Sequence, residues 1–91
     1  MPTRAPGLIG MPGFKLQVPC RIEDLSSKGA RAAILDSPSR IRSSEHLPDN
    51  VVLVFTSDRT EVQGTICWRR GNTFGLRFST GFRKTERLAQ R

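Results

Sequence analysis

Phe14, Leu16 and Val18 alternate with Lys15 and Gln17. A period of two marks a strand with one face buried, and Pro19 interrupts it as a bulge or outer strand tolerates. Cys20 and Ile22 carry the chain into a polar turn from Asp24 to Gly29. Ala30, Ala32 and Ile34 then alternate with Arg31 and Ala33, which predicts a second strand. Residues 51–55 are a continuous apolar run, the pattern of a strand covered on both faces. Val62, Gly64, Ile66 and Trp68 share one face of a further strand, and Phe74, Leu76 and Phe78 share one face of the last.

The hairpin between those last two strands constrains its own register. A two-residue Gly71-Asn72 loop would set Trp68 opposite Gly75 and Ile66 opposite Arg77, placing the two apolar sets on opposite faces. A three-residue loop, Gly71-Asn72-Thr73, sets Trp68 opposite Leu76 and Ile66 opposite Phe78. A three-residue or bulged turn is therefore expected, with Trp68 in the core.

Outside the strands the chain is polar. Residues 1–13 hold three Pro and three Gly and read as a flexible amino-terminal arm. Residues 36–50 are a long connection punctuated by Pro38 and Pro48, with a short helical turn near residues 43–46. Residues 81–91 are basic, with Phe82, Leu88 and Ala89 as anchors, and read as a short helix or tail. The body over 14–80 is all-β. Five or six short strands with turns every 8–12 residues or so predict a closed or nearly closed antiparallel barrel.

Charge adds a preference for partners. Fifteen Lys plus Arg against eight Asp plus Glu give +7, and twelve of the fifteen are Arg. That balance favours polyanions, and an arginine fork grips phosphate or a guanine edge in a way lysine cannot. Chemistry beyond binding has little material. His46 is the only histidine and sits in a polar loop beside Glu45. No nucleophile elbow, metal-ligand pair or phosphate-cradling loop is present, so the reading is a binding module, not an enzyme, with no cofactor. Cys20 and Cys67 form no CxxC pair, which argues for free thiols rather than a metal site. Without a signal-like apolar stretch or a run of roughly 20 apolar residues to span a bilayer, the expected location is cytoplasmic.

One segment is more specific. Asp24, Ser26 and Gly29 stand in the pattern Asp-x-Ser-x-x-Gly, followed by Ala30. Downstream, Cys67-Trp68-Arg69-Arg70 precedes Gly75-Leu76-Arg77-Phe78. This arrangement resembles the PilZ domain family of bacteria over roughly residues 14–80. The resemblance implies a six-stranded antiparallel β-barrel that binds cyclic di-GMP and relays the signal to a protein partner in motility, exopolysaccharide secretion or similar regulation. It implies ligand-binding roles for Asp24, Ser26 and Gly29. Asp24 would accept from a guanine Watson–Crick edge, Ser26 would add a hydroxyl contact, and Gly29 would allow a tight or left-handed turn. The plain structural alternative is that Asp and Ser bond their own turn backbone and Gly closes it.

The family's other half-site is an Arg-x-x-x-Arg motif ahead of the first strand, and here the sequence departs. Arg4 lies in the right region, but Leu8 stands four residues on. A lost bidentate contact of this kind is worth on the order of 1–3 kcal/mol. Arg21, Arg31, Arg69 and Arg70 are the residues that could compensate, Arg21 and Arg31 foremost because they flank the motif. The runner-up reading is a degenerate PilZ domain acting as a protein–protein adaptor. Binding of nucleic acid by a small basic barrel ranks third, because such barrels present exposed aromatics and these aromatics read as buried.

Overall fold

The computed structural model describes residues 2–11, 17–35 and 43–85. Seven strands run in chain order: β1 (Pro2–Gly10), β2 (Gln17–Leu25), β3 (Gly29–Ile34), β4 (Asn50–Phe55), β5 (Thr60–Arg70), β6 (Thr73–Phe78) and β7 (Arg83–Lys84). A 3-10 turn at Ser44–His46 precedes β4. The sheet order β4-β1-β2-β3-β6-β5 closes on itself through a β4–β5 pairing, and every pairing is antiparallel. The protein is thus an all-β, closed six-stranded barrel. Its interior is filled by alternate residues of all six strands, among them Ile9, Val18, Ile22, Leu53, Val62 and Phe74. Val52 and Val54 are buried on the opposite face of β4 from Val51, Leu53 and Phe55, as the continuous apolar run predicts.

The amino-terminal segment departs from expectation. Residues 2–10 are not a flexible arm but the sixth barrel strand, paired with β2 on one side and β4 on the other. Hydrogen bonding to two neighbours orders this segment although it contributes few large side chains. Ile9 alone is fully buried in the core, and Pro6 lies just past the end of the β4 ladder, its carbonyl accepting from Thr56 Oγ1 at 3.3 Å. Phe14 and Leu16 lie outside the described residues.

Against the expectation of a three-residue or bulged turn, the β5–β6 hairpin has a regular two-residue turn and carries its bulge further down the strand. Arg70 pairs with Thr73, so Gly71-Asn72 is a two-residue turn, and the register shifts between Ile66 and Trp68. Cys67 is the extra residue of a bulge. Before it, Ile66 pairs with Leu76 and Gly64 with Phe78, all inward; after it, Trp68 pairs with Gly75. One inserted residue inverts the alternation, so Trp68 leaves the core and stands on the outer surface, 43% exposed.

Past β6 the chain continues as a strap. Ser79 N donates to the Gln63 carbonyl, and β7 then takes over the pairing with β5 at Thr60 and Glu61. Phe82 bridges Phe55 and Phe78, with ring centroids 5.4 and 5.3 Å away. Arg83 donates from Nε and Nη2 to Glu61 Oε2 at 3.2 and 3.0 Å. Residues 81–85 therefore form an extended cover over the barrel end, not a helix. Residues 86–91 lie outside the described set. No described helix is long and apolar enough to cross a membrane.

Candidate ligand-binding face

Asp24 is the penultimate residue of β2, and the turn that follows is built by Ser26. Its Oγ accepts from the Lys28 and Gly29 amides at 3.2 Å each and donates to the Gly29 carbonyl at 3.3 Å. Ser26 N donates to the same carbonyl at 2.9 Å. The Ser-x-x-Gly spacing thus closes a local turn and delivers the chain into β3. Gly29 is needed there for a reason other than a left-handed conformation, since Gly71 is the only described glycine with positive φ. A Cβ at Gly29 would run into the Leu76 carbonyl oxygen, because β3 and β6 approach closely at this point.

A register shift in β2 between Ile22 and Asp24 leaves Glu23 on the outer surface between two arginines. Arg21 donates from Nε and Nη2 to Glu23 Oε2 at 3.3 and 2.8 Å. Arg31 Nε stands 3.7 Å from the other carboxylate oxygen, Oε1. Thr3, Arg4, Arg21, Glu23 and Arg31 line a groove of about 570 Å³. Two further grooves adjoin it through Arg31. One, of about 340 Å³, runs over Asp24, Ser26 and Gly29 to Trp68. The other, of about 600 Å³, is lined by Glu23, Arg31, Trp68, Arg70 and Thr73.

The sheet explains the grouping. Gly75 pairs with Arg31 on one side and Trp68 on the other. Any side chain at Gly75 would occupy the space of the Trp68 indole, so the ring lies across β6 toward Arg31. Arg4, Arg21, Arg31 and Arg70 therefore share one outer face with Asp24, Ser26 and Gly29. Arg69 is directed elsewhere. Its guanidinium donates to the Ser44 carbonyl, to the Leu47 carbonyl at 2.7 Å and to Asp49 Oδ1 at 2.8 Å. It fastens the 3-10 turn to β5.

Two residues of this face were invisible to sequence reasoning. Trp68 was assigned to the core because the bulge at Cys67 has no sequence signature, although a glycine opposite a tryptophan hints at a ring lying across it. Glu23 carries no motif at all. Chemically, the face can grip phosphates with its arginines and stack a base on an indole. Among the described residues no three His, Cys, Asp or Glu gather as a metal site.

The two thiols differ sharply. Cys20 is fully buried in the barrel, and that burial pushes its thiol from 9.0 up to about 12. Cys67 is exposed, its Sγ donating to the Gly75 carbonyl at 3.4 Å. A thiol reagent at pH 8 is expected to modify Cys67 rapidly and Cys20 only on unfolding; two fast thiols would contradict the buried assignment. The folded state holds the Cys20 proton more tightly than the unfolded chain. The stability this contributes is full below about pH 9 and lost as pH rises toward 12.

A small closed antiparallel barrel with a cationic, aromatic groove beside a turn motif defines a binding-module class. The chain belongs to the PilZ domain family, whose family model matches residues 3–91, nearly the whole chain and more than the 14–80 suggested by the motifs. PilZ domains are binding domains, not a family of enzymes, and the family is one of cyclic di-GMP-binding modules. Comparisons with curated proteins and with solved structures give no significant match.

Proposed function

We propose that this chain is a PilZ module that binds cyclic di-GMP on the face of Arg4, Arg21, Arg31, Trp68 and Arg70, and relays occupancy to a protein partner in the cytoplasm. The observation that carries this reading is the grouping of Arg4, Arg21 and Arg31 in one groove contiguous with the Asp24–Gly29 turn. Leu8 removes one arginine of the family's amino-terminal pair, and Arg21 and Arg31 stand where they can replace its charge. Arginine forks would take the phosphates, and the Trp68 ring would carry a guanine face, worth about 1–3 kcal/mol per stacked base. Arg4 lies where the β1–β2 register slips between Pro2 and Ala5, so a ligand drawn to it acts on the least regular part of β1. That gives the relay a starting point.

Calorimetric titration with cyclic di-GMP at physiological salt tests the reading, with Trp68 fluorescence as a second signal and GTP as the control. Micromolar or tighter binding, weakened at least tenfold in Arg31→Ala and accompanied by a change in Trp68 emission, is the expected result. A flat trace at millimolar ligand would remove the receptor reading. It would leave the protein–protein adaptor, which one observation favours: the Ser26 hydroxyl already satisfies its own turn.

A further inference from the structure

Two arginines of the proposed site already face a carboxylate, Glu23, which hydrogen-bonds Arg21 and stands 3.7 Å from Arg31. Its two carboxylate oxygens are divided between Arg21, at 2.8 Å, and Arg31, at 3.7 Å. The Glu23 side chain is only 25% exposed, while the two arginines are each 49% exposed. The carboxylate is thus the more sheltered partner and the two arginines the more exposed ones. This is the place an incoming phosphodiester has to take, since Arg21, Arg31 and Arg4 line the same groove.

We infer that Glu23 is a resident counter-anion that competes with the ligand and so sets the affinity of this face. The inference rests on the nucleotide-binding reading above and adds its regulation. Two arginines bridged by one carboxylate carry a net charge of +1 where the bare pair would carry +2. A ligand phosphate competes with the carboxylate for the Nε–Nη2 edge of Arg21, which Glu23 hydrogen-bonds, and for the charge of Arg31, which it faces at 3.7 Å. Exposed ion pairs are individually weak, so the carboxylate yields to a ligand that offers two phosphates and a stacked base, but it excludes isolated monoanions. It also holds Arg21 and Arg31 in place in the unliganded protein, which reduces the side-chain ordering that binding demands.

The test compares wild type, Glu23→Gln and a control, Glu45→Gln. The control removes the same charge from the 3-10 turn, where Glu45 is exposed. Cyclic di-GMP is titrated by calorimetry, and inorganic pyrophosphate is titrated while the arginine side-chain Nε–H signals are followed by NMR. Glu23→Gln is expected to bind cyclic di-GMP roughly three- to tenfold more tightly at about 50 mM salt. The gain should shrink below about twofold near 0.5 M salt as screening shortens, and Glu45→Gln should change affinity less than 1.5-fold or so. Pyrophosphate should move the Arg21 and Arg31 signals at lower concentration in Glu23→Gln than in wild type. Equal or weaker binding of both probes by Glu23→Gln would overturn the inference while a wild-type cyclic di-GMP signal kept the receptor reading. Tighter pyrophosphate binding with no cyclic di-GMP binding in any variant would uphold the role of Glu23 and overturn the receptor reading. An equal gain in Glu45→Gln would reduce the effect to overall charge and overturn the inference.

Discussion

Replacing Gly29 with alanine is expected to lower stability by about 3 kcal/mol, at the upper end for forcing extra atoms into a packed site. The added methyl meets the Leu76 carbonyl, a backbone atom that cannot rotate away, in the row where β3 joins β6. Relief requires the two strands to separate near Ala30 and Leu76, and that breaks the barrel wall. For a domain of this size, 3 kcal/mol corresponds to a fall in melting temperature of roughly 12–24 °C. Thermal unfolding followed by circular dichroism measures it directly. A melting temperature within about 2 °C of wild type would show that the strands are not in close contact there. The prediction bears on function too, because loss of ligand response in a Gly29 variant would report the turn and the wall, not a contact with ligand.

The second large effect is expected at Arg69. One guanidinium serves the Ser44 and Leu47 carbonyls and the Asp49 carboxylate, while Ser44 itself donates from N and Oγ to the Gly71 carbonyl at 2.8 Å. The 3-10 turn is thereby fixed between β5 and the β5–β6 hairpin. Arg69→Ala leaves two carbonyls without their charged donor and should cost about 2–3 kcal/mol. Asp49→Ala should cost less than about 0.5 kcal/mol, since that carboxylate is 82% exposed. Arg69→Lys should recover only part of the loss, because Nη1 serves both carbonyls while Nη2 reaches Asp49, and a shorter side chain ending in a single ammonium cannot keep all three partners. Urea titrations give the energies, and amide exchange over residues 43–49 locates the loosening. Equal losses for the Arg69 and Asp49 variants would mean that the ion pair, not the carbonyl clasp, fixes the turn.

Five of the six barrel strands were legible because their alternation is set by burial. Ala32, Ile34, Val62, Ile66, Phe74 and Leu76 all point inward as their spacing predicts. Even the short turn at Ser44–His46 was placed by its polar, proline-flanked surroundings. The strand that escaped, β1, owes its order to backbone pairing with β2, which follows it, and with β4, where Gly10 meets Val52 from far along the chain, a cause no local pattern can carry. Trp68 escaped for a related reason. Up to Ile66 the period of two holds, and a single bulged residue then turns everything beyond it over. The motif residues were legible as a set but not in their roles: Ser26 and Gly29 serve the turn and the wall, while Arg21, Glu23 and Arg31 become neighbours only once β2 and β3 are paired. Arg69 and Arg70 are adjacent in sequence, and strand geometry sends them opposite ways, one to the carbonyl clasp and one to the groove.

The closure of β4 onto β5 has a consequence for how a partner can recognise this protein. Each of the six strands already has a neighbour on both sides. Among the described strands the two-residue β7 has a neighbour on one side alone, so the wall offers little edge for a partner to extend with a strand of its own, the common way that open sheets capture extended peptides, or for two copies to join into a fibre. Recognition then falls chiefly to side chains and loops, so a signal carried by this protein is read from its surface relief and charge more than from its backbone.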